Sequence, residues 1–543
     1  MASTVRDIGN FGRVIWGLRD LVRHPITLAQ ARATVERRRQ ERESLFLDSV
    51  RRLIYDHPTS PYLALLRMAG CELGDLRHLV QAKGLESALI DLRQAGVYVT
   101  FEEFKSKQPI VRGSLTLPAL GLDYDNPTLT RYYGHVSGGS TGTPSRVHID
   151  LDHLMDQACW ILLAYAAHGV WHAPTAIWYG LHPTGVGINH VLNATRIGHA
   201  THAWFAPPTT RDVHPSLKYR VATDALIASA RLYGAPIPRP VTTPLEQADK
   251  VAHWAAQALQ EHGACLIRAY VSMCVRISQA AQEKGWDLTG ATFMGGGEPP
   301  TPAKVREITR SGARWAANYF MAEAGALGWS CATPSDENDI HHFDDMTALI
   351  QFPVEVPGFD LTVNAFHFTS LLPSTPKVLL NVQSDDYGVV EQRACGCLLG
   401  EAGSHTHLRN IRSYRKITSE GVTLVGSDVV RVLEEVLPQR FGGTALDYQL
   451  TEREDERGFT RLDLLVHPRL DIADEDEVAR ALYEALGGIT VRTDIARAVL
   501  RQAQTVRIRR EAPVWSARGK LMPLHLDHQR HEQAPVDGPP AEQ

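Results

Sequence analysis

The stretch Ser137-Gly138-Gly139-Ser140-Thr141-Gly142-Thr143-Pro144 offers chemistry most directly. Three glycines, two serines and two threonines in eight residues make a donor-rich loop. Glycine lets the backbone approach a ligand closely, and successive N–H groups and hydroxyls can cradle phosphate oxygens. The plain alternative is a polar hairpin turn, for which Gly and Ser are ordinary material. A P-loop needs Lys and then Ser or Thr after its last glycine, and here Thr143-Pro144 follows Gly142. Gly138 to Gly142 also matches G-x-S-x-G, with Ser140 as a hydrolase nucleophile. That elbow requires strand, turn and helix. The alternation Val147, Ile149, Leu151 predicts a strand after the loop, so a serine hydrolase is the lesser alternative.

A second set of side chains could hold a metal. Cys331, His341 and the pair Cys395-Gly396-Cys397 supply three thiolates and an imidazole, a Cys₃His set suited to tetrahedral zinc. His342 competes with His341 for the imidazole place, and the alternative is a group of reduced buried cysteines. Phe293 to Pro300 runs an apolar segment into Gly295-Gly296-Gly297-Glu298. A helix is expected to open near Thr301 and Pro302, the former as N-cap.

These stretches must be positioned by an α/β body. Tyr132, Tyr133, His135 and Val136 read as a strand before the glycine loop. Leu154 to His168 reads as an apolar helix, and Trp171 to Leu181 as an aromatic strand. Alternation continues through Ala225–Leu232 and Leu259–Ala281, the pattern of an α/β protein. Ahead of it, Phe11, Val14, Ile15, Leu18, Leu21 and Val22 recur at helical spacing, an amphipathic helix expected to pack on the body or a second subunit rather than on a membrane. Arg37 to Arg42 is read as a solvated helix face, a further helix stops at His57-Pro58, and two or three more run from Pro61 to Gln94. Val97 to Phe104 is read as a strand and turn, and no residue of this N-terminal region carries recognisable chemistry. His182, His190, His199 and His202 receive no role.

At 543 residues, two or more domains are expected. Hydrophobic content of 44% and charged content of 22% are those of a globular protein, and a net charge of −5 gives no sign of a nucleic-acid partner. No apolar run is long enough to span a bilayer, and Met1 to Asn10 has no apolar signal core. Seven cysteines at low density fit reduced thiols and a cytoplasmic location.

The glycine loop resembles the phosphate loop S-[SG]-G-[ST]-T-G-x-P of the adenylate-forming enzymes, the acyl-CoA synthetase and adenylation-domain superfamily. Five further stretches follow in that family's order. Gly296-Gly297-Glu298-Pro299 is similar to its G-G-E-P adenine-pocket segment. Asn318-Tyr319-Phe320-Met321-Ala322-Glu323 is similar to [DN]-x-Y-G-x-T-E. There the resemblance implies that Tyr319 stacks on adenine, that Asn318 bonds its amine and that Glu323 holds Mg²⁺, which favours oxygen ligands. Asp386 matches an aspartate that binds the ribose hydroxyls, with Asp385 where glycine is usual, and Arg412 matches an arginine that contacts ribose or phosphate. Pro513 to Leu521 is similar to P-x₅-G-K-[ILF] and makes Lys520 the catalytic lysine. The cysteine and histidine set resembles a pattern of phenylacetate–CoA ligase-like members. Departures are Phe320 for glycine, Ala322 for threonine, and Tyr414 and Arg415 for hinge carboxylates.

The resemblance implies a large N-terminal adenylate-forming body and a small mobile α+β C-terminal domain. The expected division is a helical extension over 1–100, an adenylation domain over 101–411, a lid domain over 412–527 and a tail over 528–543. The implied activity is ATP-dependent conversion of an acid, aryl by family default, to its acyl-adenylate, then transfer to a thiol. CoA is the first choice of acceptor. An acyl carrier protein or an amine, and a non-catalytic ligand-binding role, are alternatives. A homodimer is compatible with the amphipathic N-terminal helix. No residue identifies the acid.

Overall fold

The computed structural model describes residues 2–136, 146–180, 186–207, 217–297, 300, 302–355, 362–413, 416–419, 422–425, 432–443, 447–454, 460–486, 506–514 and 524–526. A twelve-stranded sheet runs through the body. Its strands are β1 (Thr175–Trp178), β2 (Thr201–Ala206), β3 (Val241–Thr242), β4 (Cys265–Tyr270), β5 (Ala291–Gly296) and β6 (Arg314–Met321). They continue with β7 (Gly325–Ser330), β8 (Ile340–His342), β9 (Thr347–Glu355), β10 (Thr362–Ser370), β11 (Val382–Gln392) and β12 (Thr406–Ser413). The spatial order is β9-β10-β11-β12-β8-β7-β6-β5-β4-β1-β2-β3.

The sheet changes character at β6. On one side β6 pairs parallel with β5, which continues parallel to β4, β1 and β2. On the other it pairs antiparallel with β7, and the rest of that half is antiparallel. β1, β4 and β5 are buried along nearly their whole length, as expected of parallel strands covered on both faces. Helices Leu151–Ala167, Val186–Arg196, Ala248–His262, Val271–Glu283 and Pro302–Arg310 alternate with these strands. The helix Leu151–Ala167 begins where Asp150 accepts a hydrogen bond from the Asp152 N–H, satisfying one free donor of the first turn.

The N-terminal helices differ from expectation in two respects. The Arg37–Arg42 stretch is not a uniformly solvated face. Arg38 is buried and bonds Asp156 on the helix Leu151–Ala167, with the Asp345 carboxylate 3.8 Å away. Arg39 pairs with Asp344, and Arg42 pairs with Glu86 and donates to the Asp344 carbonyl, so three arginines clamp the helix Leu28–Gln40 and its continuation to the body. Nor is Val97–Phe104 a strand and turn. Val99 makes one bridge to Val382, and Phe101–Phe104 is a short helix. Thr100 and Glu103 form a reciprocal capping box that favours the helix.

The glycine loop is flanked by strands Tyr132–Val136 and Arg146–Asp150, as expected, and these pair antiparallel. β12 extends to Ser413, across the expected division at 411/412. Beyond it lies a hairpin, Lys416–Ser419 with Val422–Val425. A four-stranded sheet follows in the order Val506–Arg509, Thr460–Val466, Tyr448–Glu454, Leu524–Leu526. The amphipathic helix Glu475–Leu486 buries Val478, Ala481 and Leu482 in a core with Leu450, Leu462 and Leu464. This is the small α+β unit expected. No helix among the described residues is long and apolar enough to cross a membrane.

Candidate active site

A cavity of about 270 Å³ opens at the carboxyl ends of the parallel strands, where β6 separates the two halves of the sheet. Tyr179 follows β1, Tyr270 ends β4, Gly296 ends β5 and Gly297 follows it. Open α/β sheets present their ligand crevices at such strand ends. The cavity also draws in Asn318, Glu323 and Asp386, so five of the expected site residues share one space.

The glycines at the end of β5 are required by packing. A Cβ on Gly296 would collide with the side chain and carbonyl of Asn318 on β6. Gly297 has φ +80°, and a Cβ there would lie 2.9 Å from the Tyr270 ring. Asn318 is thereby held against bare backbone. The β6–β7 register shifts between Tyr319 and Phe320, a bulge that re-aims neighbouring side chains. Tyr319 turns inward and its hydroxyl donates to Asp386 Oδ2 at 2.7 Å. Phe320 lines the cavity with 41% of its surface exposed. Arg412 stands opposite Tyr387 on β12, one register position from the Asp386–Ser413 pair.

Glu323 follows β6 and is buried. Its Oε1 accepts from Lys105 Nζ at 2.6 Å. Burial alone would push this carboxyl up, but the Lys105 ammonium outweighs it and holds the carboxyl down at about 2. Glu323 is therefore ionised. Its oxygen chemistry fits Mg²⁺, with Lys105 sharing the carboxylate. Lys105 directly follows the Phe101–Phe104 helix, just beyond the N-terminal stretch from which no chemistry is read. Phe101 and Phe104 line the cavity beside it.

The cysteines and histidine converge as a second cluster. Ligand atoms of Cys331, His341, Cys395 and Cys397 all lie within 4.8 Å of one another. Cys395 and Cys397 Sγ are 3.4 Å and 3.2 Å from His341 Nε2, and the Cys331–Cys397 Sγ separation is 3.8 Å. Zn–S bonds of about 2.3 Å in a tetrahedron place thiolates about 3.8 Å apart, so the set has zinc dimensions. His341 Nδ1 bonds the Ser404 carbonyl at 2.7 Å, which aims Nε2 at the thiols. His342 is not the ligand: its ring nitrogens face the carbonyls of Leu327 and Thr347, at 3.0 and 2.9 Å.

Ser137, Gly138, Gly139, Ser140, Thr141, Gly142, Glu298 and Lys520 lie outside the described residues, as do Tyr414 and Arg415. The flanks of the glycine loop do bear on the hydrolase alternative. A nucleophile elbow needs a helix after its turn, and a strand stands there. Sequence reasoning missed Lys105, Arg268, His190 and Trp329, all of which line the cavity. Only Arg268 left a signal: a charge inside the apolar strand Cys-Leu-Ile-Arg-Ala-Tyr.

The chain matches no protein-family model and no curated protein sequence. Among solved structures it is similar to 2-hydroxyisobutyryl-CoA ligase in complex with 2-HIB-AMP and CoA, in the thioesterification state. Identity is 13%, with 93% of this chain and 92% of that chain covered, and the TM-score is 0.53. The same ligase in a postadenylation state with 2-HIB-AMP gives 13% identity, 90% and 89% coverage and a TM-score of 0.46. An anthranilate–CoA ligase with anthranoyl-AMP gives 9% identity, 81% and 72% coverage and a TM-score of 0.35. The chain has the fold of the adenylate-forming enzymes.

Proposed function

We propose that the protein activates a carboxylic acid with ATP as an acyl-adenylate and transfers the acyl group to a thiol, that of CoA. The observation that carries this reading is one cavity, at the strand ends of an adenylate-forming fold, containing Gly296, Gly297, Asn318, Glu323 and Asp386. In this reading a substrate carboxylate oxygen attacks the α-phosphorus and pyrophosphate leaves. The thiolate then displaces AMP from the acyl carbon. Gly296, Gly297, Asn318 and Tyr319 receive the adenine, while Asp386 and Arg412 receive the ribose. Ser137 to Gly142 and Glu298 complete the nucleotide site from sequence. Lys520 supplies a cation where charge develops on phosphorus. Bound Mg²⁺, held by Glu323, would neutralise phosphate charge. Phe101, Phe104, Tyr179, Tyr270 and Trp329 give the cavity aromatic walls that suit an aryl acid.

In the same proposal Cys331, His341, Cys395 and Cys397 hold a structural Zn²⁺, since four protein ligands leave no open position for chemistry. The Lys105–Glu323 pair favours a second reading, a site that binds nucleotide or acid without turnover, because it occupies the metal-binding carboxylate. Product analysis separates the two. Incubation with ATP, Mg²⁺, CoA and a panel of acids, followed by mass spectrometry, should show AMP and an acid-dependent CoA thioester. Both should be lost in Lys520→Ala. Acyl-adenylate without thioester would redirect the acceptor to a carrier protein or an amine. Ligand binding with neither product would establish the non-catalytic reading.

A further inference from the structure

Arg268 is an unusual resident of a strand core. It lies in β4, 2% exposed, and reaches the cavity wall. Among the described residues no carboxylate comes within ion-pair distance of it. Its Nη1 donates to the Tyr165 hydroxyl at 2.9 Å, and its Nε is buried with no acceptor. The guanidinium lies over the Trp329 ring, 4.5 Å from the centroid. A buried cation is ordinarily paired, because desolvation is expensive without an opposing charge. Cation–π contact compensates only part of that cost.

The histidine that feels the Arg268 charge is itself neutral. His190, on the helix Val186–Arg196, lines the same cavity and stacks on Tyr179 at 4.5 Å. Burial, and then the Arg268 charge, push this imidazole well below its usual range. Asn193, one helical turn on, is buried with its side-chain oxygen unbonded. Among the described residues the Arg268 cation thus has no carboxylate partner, whereas Glu323 is neutralised by Lys105.

We infer that the acid taken by this cavity carries a second carboxylate, and that Arg268 binds that group and sets the preference for dicarboxylic acids. The inference rests on the acid-activating reading above and narrows its substrate class. The planar guanidinium can meet a carboxylate with two parallel hydrogen bonds. An acid lacking that group would leave Arg268 buried and uncompensated, which is the strongest form of discrimination a binding site has.

The test is ATP–pyrophosphate exchange with matched acids: terephthalate, glutarate and adipate, each against its monomethyl ester. The esters keep one reacting carboxylate and remove the second charge. At least one diacid should exceed its ester by about 100-fold or more in kcat/KM. Arg268→Met should bring that ratio toward one, and Arg268→Lys, which keeps the charge without the fork, should retain part of it. Equal use of diacids and esters by the wild type would overturn the inference while leaving acid activation intact. So would an Arg268→Met variant that lowers both members of a pair equally, which would place Arg268 on the reacting carboxylate. If no acid supports exchange, the acid-activating reading fails. Calorimetry of the same diacids on wild type and Arg268→Met then decides for Arg268: binding lost in the variant supports it, and no diacid binding overturns it.

Discussion

Lys105 Nζ lies 2.6 Å from Glu323 Oε1, across 218 positions of sequence, and both side chains are nearly enclosed. This pair joins the N-terminal helical region to the turn after β6. A buried pair is weak support for stability in itself, but removing one partner leaves a charge with no compensation. Lys105→Met should therefore destabilise the protein by about 3–5 kcal/mol at neutral pH in urea unfolding. The double variant Lys105→Met/Glu323→Gln should recover a substantial part of that loss. A single variant as stable as wild type would show that water already solvates Glu323.

The same pair gives a pH dependence. The Glu323 carboxyl is held at about 2 in the folded state against an ordinary value of 4.5. Because the folded value is depressed, the unfolded chain binds more protons between those limits. The contribution, about 3 kcal/mol, is full above pH ~4.5 and is lost as pH falls toward ~2. Unfolding curves of wild type and Glu323→Gln should converge over that window. Parallel curves from pH 6 to 3 would remove Lys105 as the controlling partner.

Asp386, which lines the cavity, and its donor Tyr319 make the proposed nucleotide site testable. Asp386→Asn should weaken ATP binding by roughly 10–100-fold in calorimetry, the range of charged hydrogen bonds. Tyr319→Phe removes only the hydroxyl that donates to Asp386. Its effect should be smaller, about 5-fold, consistent with one hydrogen bond of about 1 kcal/mol. Equal effects would mean that the tyrosine hydroxyl, rather than the carboxylate, contacts the nucleotide.

The thiol cluster predicts metal content. Elemental analysis of the purified protein should find about one zinc per chain, the stoichiometry of a closed four-ligand site. Cys397→Ser should reduce that content and lower the thermal midpoint, and a strong chelator should do the same to wild type. His342→Ala should leave the zinc in place, because its ring nitrogens are committed to Leu327 and Thr347. Zinc lost equally from the His341 and His342 variants would contradict the assignment.

Residues adjacent in sequence were the legible part of this site. Gly296-Gly297 and Asn318-Tyr319 are local strings whose strand ends follow from apolar runs, and β5 and β6 bring them together. Cys331, His341 and the Cys395/Cys397 pair were legible as ligand types, and the choice of His341 over His342 needed the β8 register. Lys105 was not legible, since its partner is remote and Val97–Phe104 reads as a strand and turn until the Thr100–Glu103 cap is seen. The buried Arg38 was hidden for a similar reason: a run of arginines on a helix looks solvated until Asp156 and Asp345 are placed beside it. Arg268 was visible as a charge in an apolar strand, but its lack of a carboxylate is a property of the folded cavity.

Acid-dependent ATP–pyrophosphate exchange, compared between wild type and Glu323→Gln, tests the central claim most directly. Exchange requires reversible attack of a carboxylate on the α-phosphorus, and so reports adenylation without regard to the final acceptor. Wild type should exchange with at least one acid, and Glu323→Gln should be slower by about 100-fold or more, the scale set by removing electrostatic stabilisation of developing charge. No exchange by wild type with any acid, while ATP still binds in calorimetry, would contradict acid activation and leave a nucleotide-binding protein on the adenylate-forming fold.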